Sequence, residues 1–281
     1  MKYYEVVFSI KPYREETCDI LSSLLADVGF ETFVPNSEGI VAYIQQTFYD
    51  EKAIRQIANG FPLPQTDISF ITREAPDEDW NQRWEEEGFE PIVIDRLVGI
   101  HDTRHSCPSP CTYEITINPR MAFGTGTHPT TRQILRQLCS MDMQGLSVVD
   151  AGCGTGVLGF LCSMRGAKGV FSYDIDSWSV ENTKINAELN NITNISVREG
   201  DASVLPAEPM FDLLIANINR NILLQDMSHF AQVLKQGGQL LLSGFYEADV
   251  PLLVRKGEEI GLSLEKETCE EGWSMLLLRR L

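Results

Sequence analysis

The chain has 281 residues, of which 43% are hydrophobic and 22% charged, as is usual for a folded protein with a sizeable core. The chain has 40 acidic and 23 basic residues, which gives a net charge of -17. This charge disfavours general binding to nucleic acid and is compatible with a basic partner. No apolar run approaches the roughly 18 residues of a membrane span, and the chain start lacks a signal-peptide layout. We expect no direct nucleic-acid binding, no membrane contact and a cytoplasmic location.

The first 75 residues alternate strand and helix patterns. Apolar residues at every second position predict strands, and helical spacing ended by glycine predicts helices. This order, with room for one further strand, is typical of a ferredoxin-like α+β sandwich. The predicted strands cover residues 4–10, 39–46 and 67–73, and the predicted helices cover 14–28 and 50–59.

Residues 76–117 differ in composition and are predicted to link two domains. An acidic stretch at 77–87 contains Trp80 and Trp84, which are four apart and would share one helix face. We expect a linker helix followed by connecting strands. The acidic stretch is interpreted as a solvated helix face, with a docking surface for a basic partner as the alternative.

From residue 118 to the end, strands and helices alternate regularly, which predicts an α/β fold class with a doubly wound, seven-stranded Rossmann-like sheet. The last two strands are close enough in sequence to form an antiparallel pair at one edge. A Gly237-Gly238 pair is expected to mark the end of the helix at 221–235. Strands are predicted at 147–150, 170–174, 195–199, 212–218, 239–245, 262–267 and 274–279, and the other helices at 157–165, 177–190 and 249–260.

A glycine-rich loop follows the first strand of this second half. Gly152, Gly154 and Gly156 alternate, so the chain can turn sharply and bring bare backbone against a ligand. Asp150 directly precedes the loop, where a carboxylate can orient it and face a positively charged ligand. Residues 154–159 also satisfy the G-x-G-x-x-G pattern of dinucleotide-binding proteins, but Asp150 and the upstream segment 127–131 argue against that class.

Two further aspartates follow neighbouring strands. Asp174 lies 22 positions after Gly152 at a strand end, where it can accept hydrogen bonds from both hydroxyls of a ribose. Asp176 is better placed to begin the next helix. Asp201 could reach the exocyclic amine of adenine or serve equally well as a turn aspartate.

Polar residues from two other segments are predicted to join this site. Asn217 ends the strand 212–218 and can position an acceptor nitrogen, with a turn or cap role as the alternative. Pro129 suits the first position of a helix, so Thr131 falls in its first turn, where a carboxylate can bind. Phe123 begins a glycine-rich loop that could cover the site. His128 is expected to cap the helix rather than act as a base.

The segment from Asn118 to Thr131 reads NPRMAFGTGTHPTT and is far more specific than a glycine loop. Together with the loop and the strand-end residues, it resembles the ribosomal protein L11 methyltransferase family, whose members are class I S-adenosylmethionine-dependent protein methyltransferases. The resemblance extends over nearly the whole chain. It implies a substrate-recognition domain at 1–75, a linker at 76–117 and a methyltransferase domain at 118–281.

The resemblance also implies S-adenosyl-L-methionine as the cofactor, with contacts at Thr131, Gly152, Asp174 and Asn217. It implies transfer of methyl groups to lysine side chains or the N-terminal amine of ribosomal protein L11, which we expect to be free rather than ribosome-bound, by a monomeric protein. The family motif at the fourth strand usually reads Asn-Ile-Leu-Ala. This chain instead has Asn217-Ile218-Asn219-Arg220.

Other functions remain open from the sequence. The same fold could methylate another protein or a small-molecule amine, or the chain could bind a cofactor without catalysis, although the intact site residues disfavour that. A nicotinamide oxidoreductase is a further alternative. His101, His105, Cys107 and Cys111 suggest a zinc site, but the prolines between the cysteines and the absence of a second cysteine pair favour an exposed loop.

Overall fold

The structure, a computed structural model, describes residues 3–26, 28–36, 38–63, 66–74, 90–118 and 124–281. The chain divides into two compact units, Met1–Arg83 and Trp84–Leu281. The predicted linker helix, including Trp80, Trp84 and the acidic stretch, lies outside the described residues. None of the helices in the described ranges is both long and apolar enough to cross a membrane.

The first unit is an antiparallel sheet of four strands with two helices on one face. Alternate residues of the first strand, Val6, Phe8 and Ile10, are buried in one core with Leu21 and Leu25 of the first helix. The strands lie in the order β2-β3-β1-β4. The elements are β1 (Tyr3–Lys11), α1 (Glu15–Ala26), β2 (Phe30–Asn36), β3 (Gly39–Gln45), α2 (Glu51–Asn59) and β4 (Asp67–Glu74).

Strand β2 is the one element of this unit that has no counterpart in the sequence prediction. It contains Pro35, which cannot donate to a sheet ladder and disfavours a strand assignment. The structure accommodates this proline because β2 is an edge strand that pairs only with β3.

The second unit begins with a small sheet of three strands and continues into a large α/β sheet. The small sheet comprises β5 (Ile92–Ile94), β6 (Val98–His101) and β7 (Tyr113–Thr116) in that order. Ile100 and Ile115 of the small sheet are buried in the same core as Val148 and Ile215 of the large one. The two sheets therefore fold around shared apolar residues.

The large sheet has the strand order β10-β9-β8-β11-β12-β14-β13. The pairs from β10 to β12 are parallel, and the pairs β12-β14 and β14-β13 are antiparallel, as predicted for the last two strands. The elements are α3 (Pro129–Ser140), β8 (Ser147–Ala151), α4 (Val157–Met164), β9 (Gly169–Asp174), α5 (Ser177–Leu189), β10 (Ile195–Glu199), a 3₁₀ turn (Ala202–Val204), β11 (Phe211–Asn217), α6 (Arg220–Val233), β12 (Leu234–Tyr246), a 3₁₀ turn (Glu247–Asp249), α7 (Val250–Glu259), β13 (Leu262–Glu270) and β14 (Trp273–Arg280).

Both faces of the large sheet are packed, which confirms a doubly wound α/β fold. Val148 of β8 belongs to the core on one face, and its neighbour Val149 belongs to the core on the other. Within the sheet, β9 pairs with one edge of β8 and β11 pairs with its other edge. In open parallel sheets, ligands bind in the crevice at the carboxyl ends of the strands where the winding reverses. Here that point lies between β8 and β11.

The prediction for the end of α6 was wrong. The helix ends at Val233, and Gly237 and Gly238 lie inside β12. The register of β12 against β11 shifts between Phe211 and Leu213, and Gly237 has a φ of 77°. The glycine pair therefore forms an irregular turn within a strand, a second kind of position at which glycine is common.

Candidate active site

The glycine loop follows β8 at the reversal point, as predicted. Gly152, Gly154 and Gly156 have φ values of 71°, 53° and 87°, a left-handed region that favours glycine. A Cβ at Gly152 would lie 2.4 Å from Cγ2 of Ile218, just beyond β11. Gly152 is half-exposed, whereas Gly154 and Gly156 are buried. Gly152 is thus the most exposed of the three glycines, and cofactor contacts by Gly152, Gly154 and Gly156 remain predictions.

Asp150 lies beneath the loop and is fully buried. Its Oδ2 accepts a hydrogen bond from the Gly159 backbone N–H in α4 at 3.0 Å, and its Oδ1 has no partner among the described residues. Burial raises the pKa of this carboxyl to about 7. Asp150 thus ties β8 to the helix that follows the loop, and its predicted contact with a charged ligand remains a prediction.

Asp174 connects the end of β9 to the glycine loop. Its Oδ2 accepts from the Gly154 N–H at 3.0 Å, and its Oδ1 accepts from the Asp176 N–H at 3.1 Å. Asp176 caps α5 by accepting from the backbone N–H groups of Trp178 and Ser179. The sequence-based assignment of Asp176 to the helix start is confirmed, and the half-buried Asp174 keeps lone pairs for a ligand hydroxyl.

Asp201 is exposed and caps the short 3₁₀ turn after β10. Its Oδ1 accepts from the Ser203 N–H at 2.9 Å, and hydrogen bonding by Ser203 lowers the pKa of this carboxyl. The turn role expected from the sequence is therefore present, and a contact with adenine remains a prediction.

Asn217 and Thr131 meet although 86 residues separate them in the sequence. The Asn217 Nδ2 donates to the Thr131 Oγ1 at 3.3 Å, which joins the end of β11 to the first turn of α3. His128 caps that helix, its Nδ1 accepting from the Thr130 N–H at 3.4 Å, and this confirms the predicted capping role. Phe123 lies outside the described residues.

Three aromatic rings lie beside the start of α3, and the sequence analysis did not identify them as a group. Trp273, the first residue of β14, is 4.7 Å from His128 and 4.1 Å from Tyr246 between ring centroids. We call His128, Tyr246 and Trp273 the aromatic wall. It borders the same end of the sheet as Asn217, whose β11 strand pairs with β12. Aromatic faces attract cations. In the sequence, the signal for this wall is a tryptophan, Trp273, directly after a glycine turn.

The departure from the usual family motif after Asn217 has a local structural explanation. Asn219 is the N-cap of α6, its Oδ1 accepting from the Ile222 N–H at 3.1 Å. Arg220 forms an ion pair with Asp249 at 2.7 Å. Both changed residues therefore stabilise the start of a helix.

The sequence also suggested a zinc site as an alternative. Among the described residues, no three His, Cys, Asp or Glu side chains converge to form a metal-ligand set. His105 instead pairs with Asp102 at 2.9 Å. Cys107 and Cys111 pack over Gly99, where a Cβ would lie 2.3 Å from the Cys107 Sγ. Burial raises the pKa of the Cys107 thiol to about 11.

Comparison with known proteins places this geometry in one family. A family model described as Ribosomal protein L11 methyltransferase (PrmA) matches residues 17–281. The chain belongs to this family. It is 46% identical to the ribosomal protein L11 methyltransferase of Phocaeicola vulgatus over 98% of both chains, and 42% identical to that of Porphyromonas gingivalis over 98% of this chain and 97% of the relative.

A solved structure also matches. The crystal structure of ribosomal protein L11 methylase from Lactobacillus delbrueckii subsp. bulgaricus aligns with a TM-score of 0.63 and 26% sequence identity. The alignment covers 69% of this chain and all of that one.

Proposed function

We propose that this protein transfers methyl groups from S-adenosyl-L-methionine to lysine side chains, the N-terminal amine, or both, of ribosomal protein L11. The observation that carries the proposal is the contact between Asn217 and Thr131 at the point where the sheet winding reverses. It assembles strand-end and helix-start polar groups beside the glycine loop and Asp174. Family membership supports L11 as the substrate.

The residues present fit S-adenosylmethionine. The Asp174 carboxylate suits the ribose hydroxyls, and the half-exposed Gly152 backbone allows close approach of the ligand. The first turn of α3, with the Thr131 hydroxyl, suits the carboxylate of the methionine portion, since helix starts bind anions. These residues would hold the cofactor without a metal ligand.

The bound cofactor would supply an electrophilic methyl group on a positively charged sulfur. The protein then has to hold the acceptor amine in line and exclude water, an effect worth roughly 7–11 kcal/mol in well-oriented reactions. Asn217 would position the acceptor through its amide. Exclusion of water from the acceptor amine would favour its neutral form over the ammonium form, and no nucleophilic side chain is required.

We propose that the first unit is a ferredoxin-like substrate-recognition domain. Supporting this, an apolar row crosses the sheet face opposite the helices. Val34, Val41, Val7 and Ile71 are paired in register across the four strands, and Val34 and Ile71 are 48% and 60% exposed. Exposed apolar rows of this kind commonly mark protein contacts.

The recognition role is tested with the substitution Ile71→Asp in the full chain. A charge in the apolar row should raise the KM for L11 about tenfold, while cofactor affinity and the melting temperature stay near wild type. Phe48→Asp is the matched control, because Phe48 is equally exposed in the same unit but lies outside the row. Equal KM values for both variants and the wild type would remove the row from substrate recognition.

We further propose that the protein is a monomer that acts in the cytoplasm on free L11. A site that must hold one substrate amine in line is reached more easily on an isolated protein than on an assembled particle. Comparison of methylation rates for free L11 and for assembled large subunits tests this, and a faster rate on the assembled subunits would contradict it.

The function itself is tested by mass spectrometry of purified L11 after incubation with the protein and isotope-labelled S-adenosylmethionine. We expect added methyl groups on lysine side chains or the N-terminal amine, and none with Asn217→Ala. If the label stays off L11 but moves to another protein or a small-molecule amine, the methyltransferase assignment holds and the substrate is wrong. Turnover of NAD without methyl transfer would favour the oxidoreductase alternative.

A further inference from the structure

Helix α5 carries a row of buried polar side chains that the proposed function does not use. Asn182, Thr183 and Asn186 are at most 3% exposed. A buried amide or hydroxyl is costly unless it is hydrogen-bonded, so each of these side chains needs a partner inside the protein. Their partners include backbone groups of two segments, the glycine loop and Asn118.

The first segment is the glycine loop. The Thr183 Oγ1 donates to the Gly154 carbonyl at 2.7 Å, and the Asn186 Nδ2 donates to the Thr155 carbonyl at 2.9 Å. These two consecutive carbonyls belong to the turn between β8 and α4. Side chains one helical turn apart on α5 therefore fix the conformation of the loop from behind.

The second segment is the stretch that follows β7, at Asn118. The Asn186 Oδ1 accepts from the Asn118 N–H at 2.7 Å, and the Asn182 Nδ2 donates to the Asn118 carbonyl at 2.9 Å. Asn118 is the first residue of the segment that leads to Thr131. Asn186 also donates to the Asn182 Oδ1 at 2.9 Å, so both hydrogens of its amide are used.

A further contact closes the connection on the other side. The Thr155 Oγ1 donates to the Gly124 carbonyl at 2.8 Å, and Gly124 lies in the same upstream segment as Asn118. The loop and this segment are therefore joined at Thr155 directly and through the Asn186 amide.

We propose that Asn186, supported by Thr183, is a positioning residue that holds the glycine loop and the Asn118 backbone at a fixed spacing for cofactor binding. This inference rests on the proposed function. It assigns to α5 a role beyond packing, because one amide accepts from the Asn118 N–H and donates to the Thr155 carbonyl of the glycine loop. A residue with a purely structural role would stabilise the fold without changing how the loop meets a ligand.

The test uses full-length Asn186→Ala and Thr183→Val, with Asn190→Ala as the matched control. Asn190 is the C-cap residue of α5, one turn beyond Asn186, and it bonds both backbone groups of Thr116 and the Asn186 carbonyl without touching the loop. Dissociation constants for S-adenosylmethionine are measured by calorimetry, amide exchange of residues 152–156 by mass spectrometry without cofactor, and melting temperatures alongside. Thr183→Val keeps the side-chain volume, so it provides a readout even if Asn186→Ala does not fold.

We expect Asn186→Ala to raise the dissociation constant about tenfold and Thr183→Val a few-fold, with faster exchange in the loop in both. Asn190→Ala should lower the melting temperature and leave affinity and loop exchange at wild-type values. If the Asn186 and Thr183 variants lose only thermal stability, the positioning role is overturned. If the wild-type protein itself fails to bind the cofactor, it is the proposed function that fails, whereas the loop-exchange result still decides the role of α5.

Discussion

At the scale of single residues, Asp150 is the most unusual group of the site. It is a fully buried carboxyl with one satisfied oxygen, and burial raises its pKa from 3.8 to about 7. A raised pKa means that the folded protein holds this proton more tightly than the unfolded chain does. The free energy of unfolding contributed by Asp150 is therefore complete below pH 4 and is lost as the pH rises through 7.

Asp150→Asn should remove this pH dependence. Relative to the wild type, the variant should gain ~4 kcal/mol in free energy of unfolding between pH 4 and pH 8, at about 1.4 kcal/mol for each unit of pKa difference. Denaturant unfolding of the cofactor-free protein across this range measures the difference. A constant difference between variant and wild type would mean that Asp150 titrates normally in the folded state.

The local roles of several residues could be predicted from sequence, and the reason is their short range. His128 caps α3 through Thr130, and Asp176 caps α5 through Trp178, both within two residues. Asn186 could not be identified in this way. Its partners Asn118 and Thr155 are 68 and 31 residues away, and no local pattern distinguishes an amide that joins them from one that faces water.

At the scale of elements, α3 is held to the hairpin β13–β14 by two kinds of contact. The buried Gln133 donates to the Trp273 carbonyl at 2.9 Å and accepts from the Thr268 hydroxyl at 2.7 Å. Arg132 forms an ion pair with Glu271, whose side chain is 67% exposed. Because Thr131 lies in the first turn of α3, these contacts help to fix where the Thr131 side of the site lies.

We predict that the buried contact dominates. Gln133→Ala should lower the free energy of unfolding by about 1–3 kcal/mol, since it removes the hydrogen-bond partner of the Trp273 carbonyl and of the Thr268 hydroxyl. Glu271→Ala should cost less than about 1 kcal/mol, because an exposed ion pair is screened by water and salt. Equilibrium denaturation compares the two variants, and an equal or larger loss for Glu271→Ala would contradict this ranking.

The boundaries of elements were less predictable than their existence. The doubly wound order of strands and helices follows from the alternation of apolar patterns along the second half of the chain. β2 received no range in the sequence prediction, which left room for one further strand, and its Pro35 is compatible with a strand only at a sheet edge or a bulge. The end of α6 was misplaced because glycine is common both at helix ends and in irregular strand turns, and the pairing of β12 with β11 decides between them.

At the scale of the whole molecule, the fold brings distant segments to one edge of the sheet. Gly152 follows β8, Asp174 ends β9 and Asn217 ends β11, and these strands are neighbours in the order β9-β8-β11. The sequence predicted this convergence because the carboxyl ends of parallel strands share one edge. The aromatic wall was not predicted, since Trp273 reaches the same edge from an antiparallel strand that begins there.

Cofactor binding at this site is tested by calorimetric titration of the full-length protein with S-adenosylmethionine and, separately, with NAD. We predict that the wild type binds S-adenosylmethionine and not NAD, and that Asp174→Ala raises the dissociation constant for S-adenosylmethionine more than tenfold. Asp176→Ala, a neighbouring carboxylate that caps α5, should lower stability and leave this affinity nearly unchanged. Binding of NAD in place of S-adenosylmethionine, or equal affinity in Asp174→Ala and the wild type, would contradict the assignment of the site.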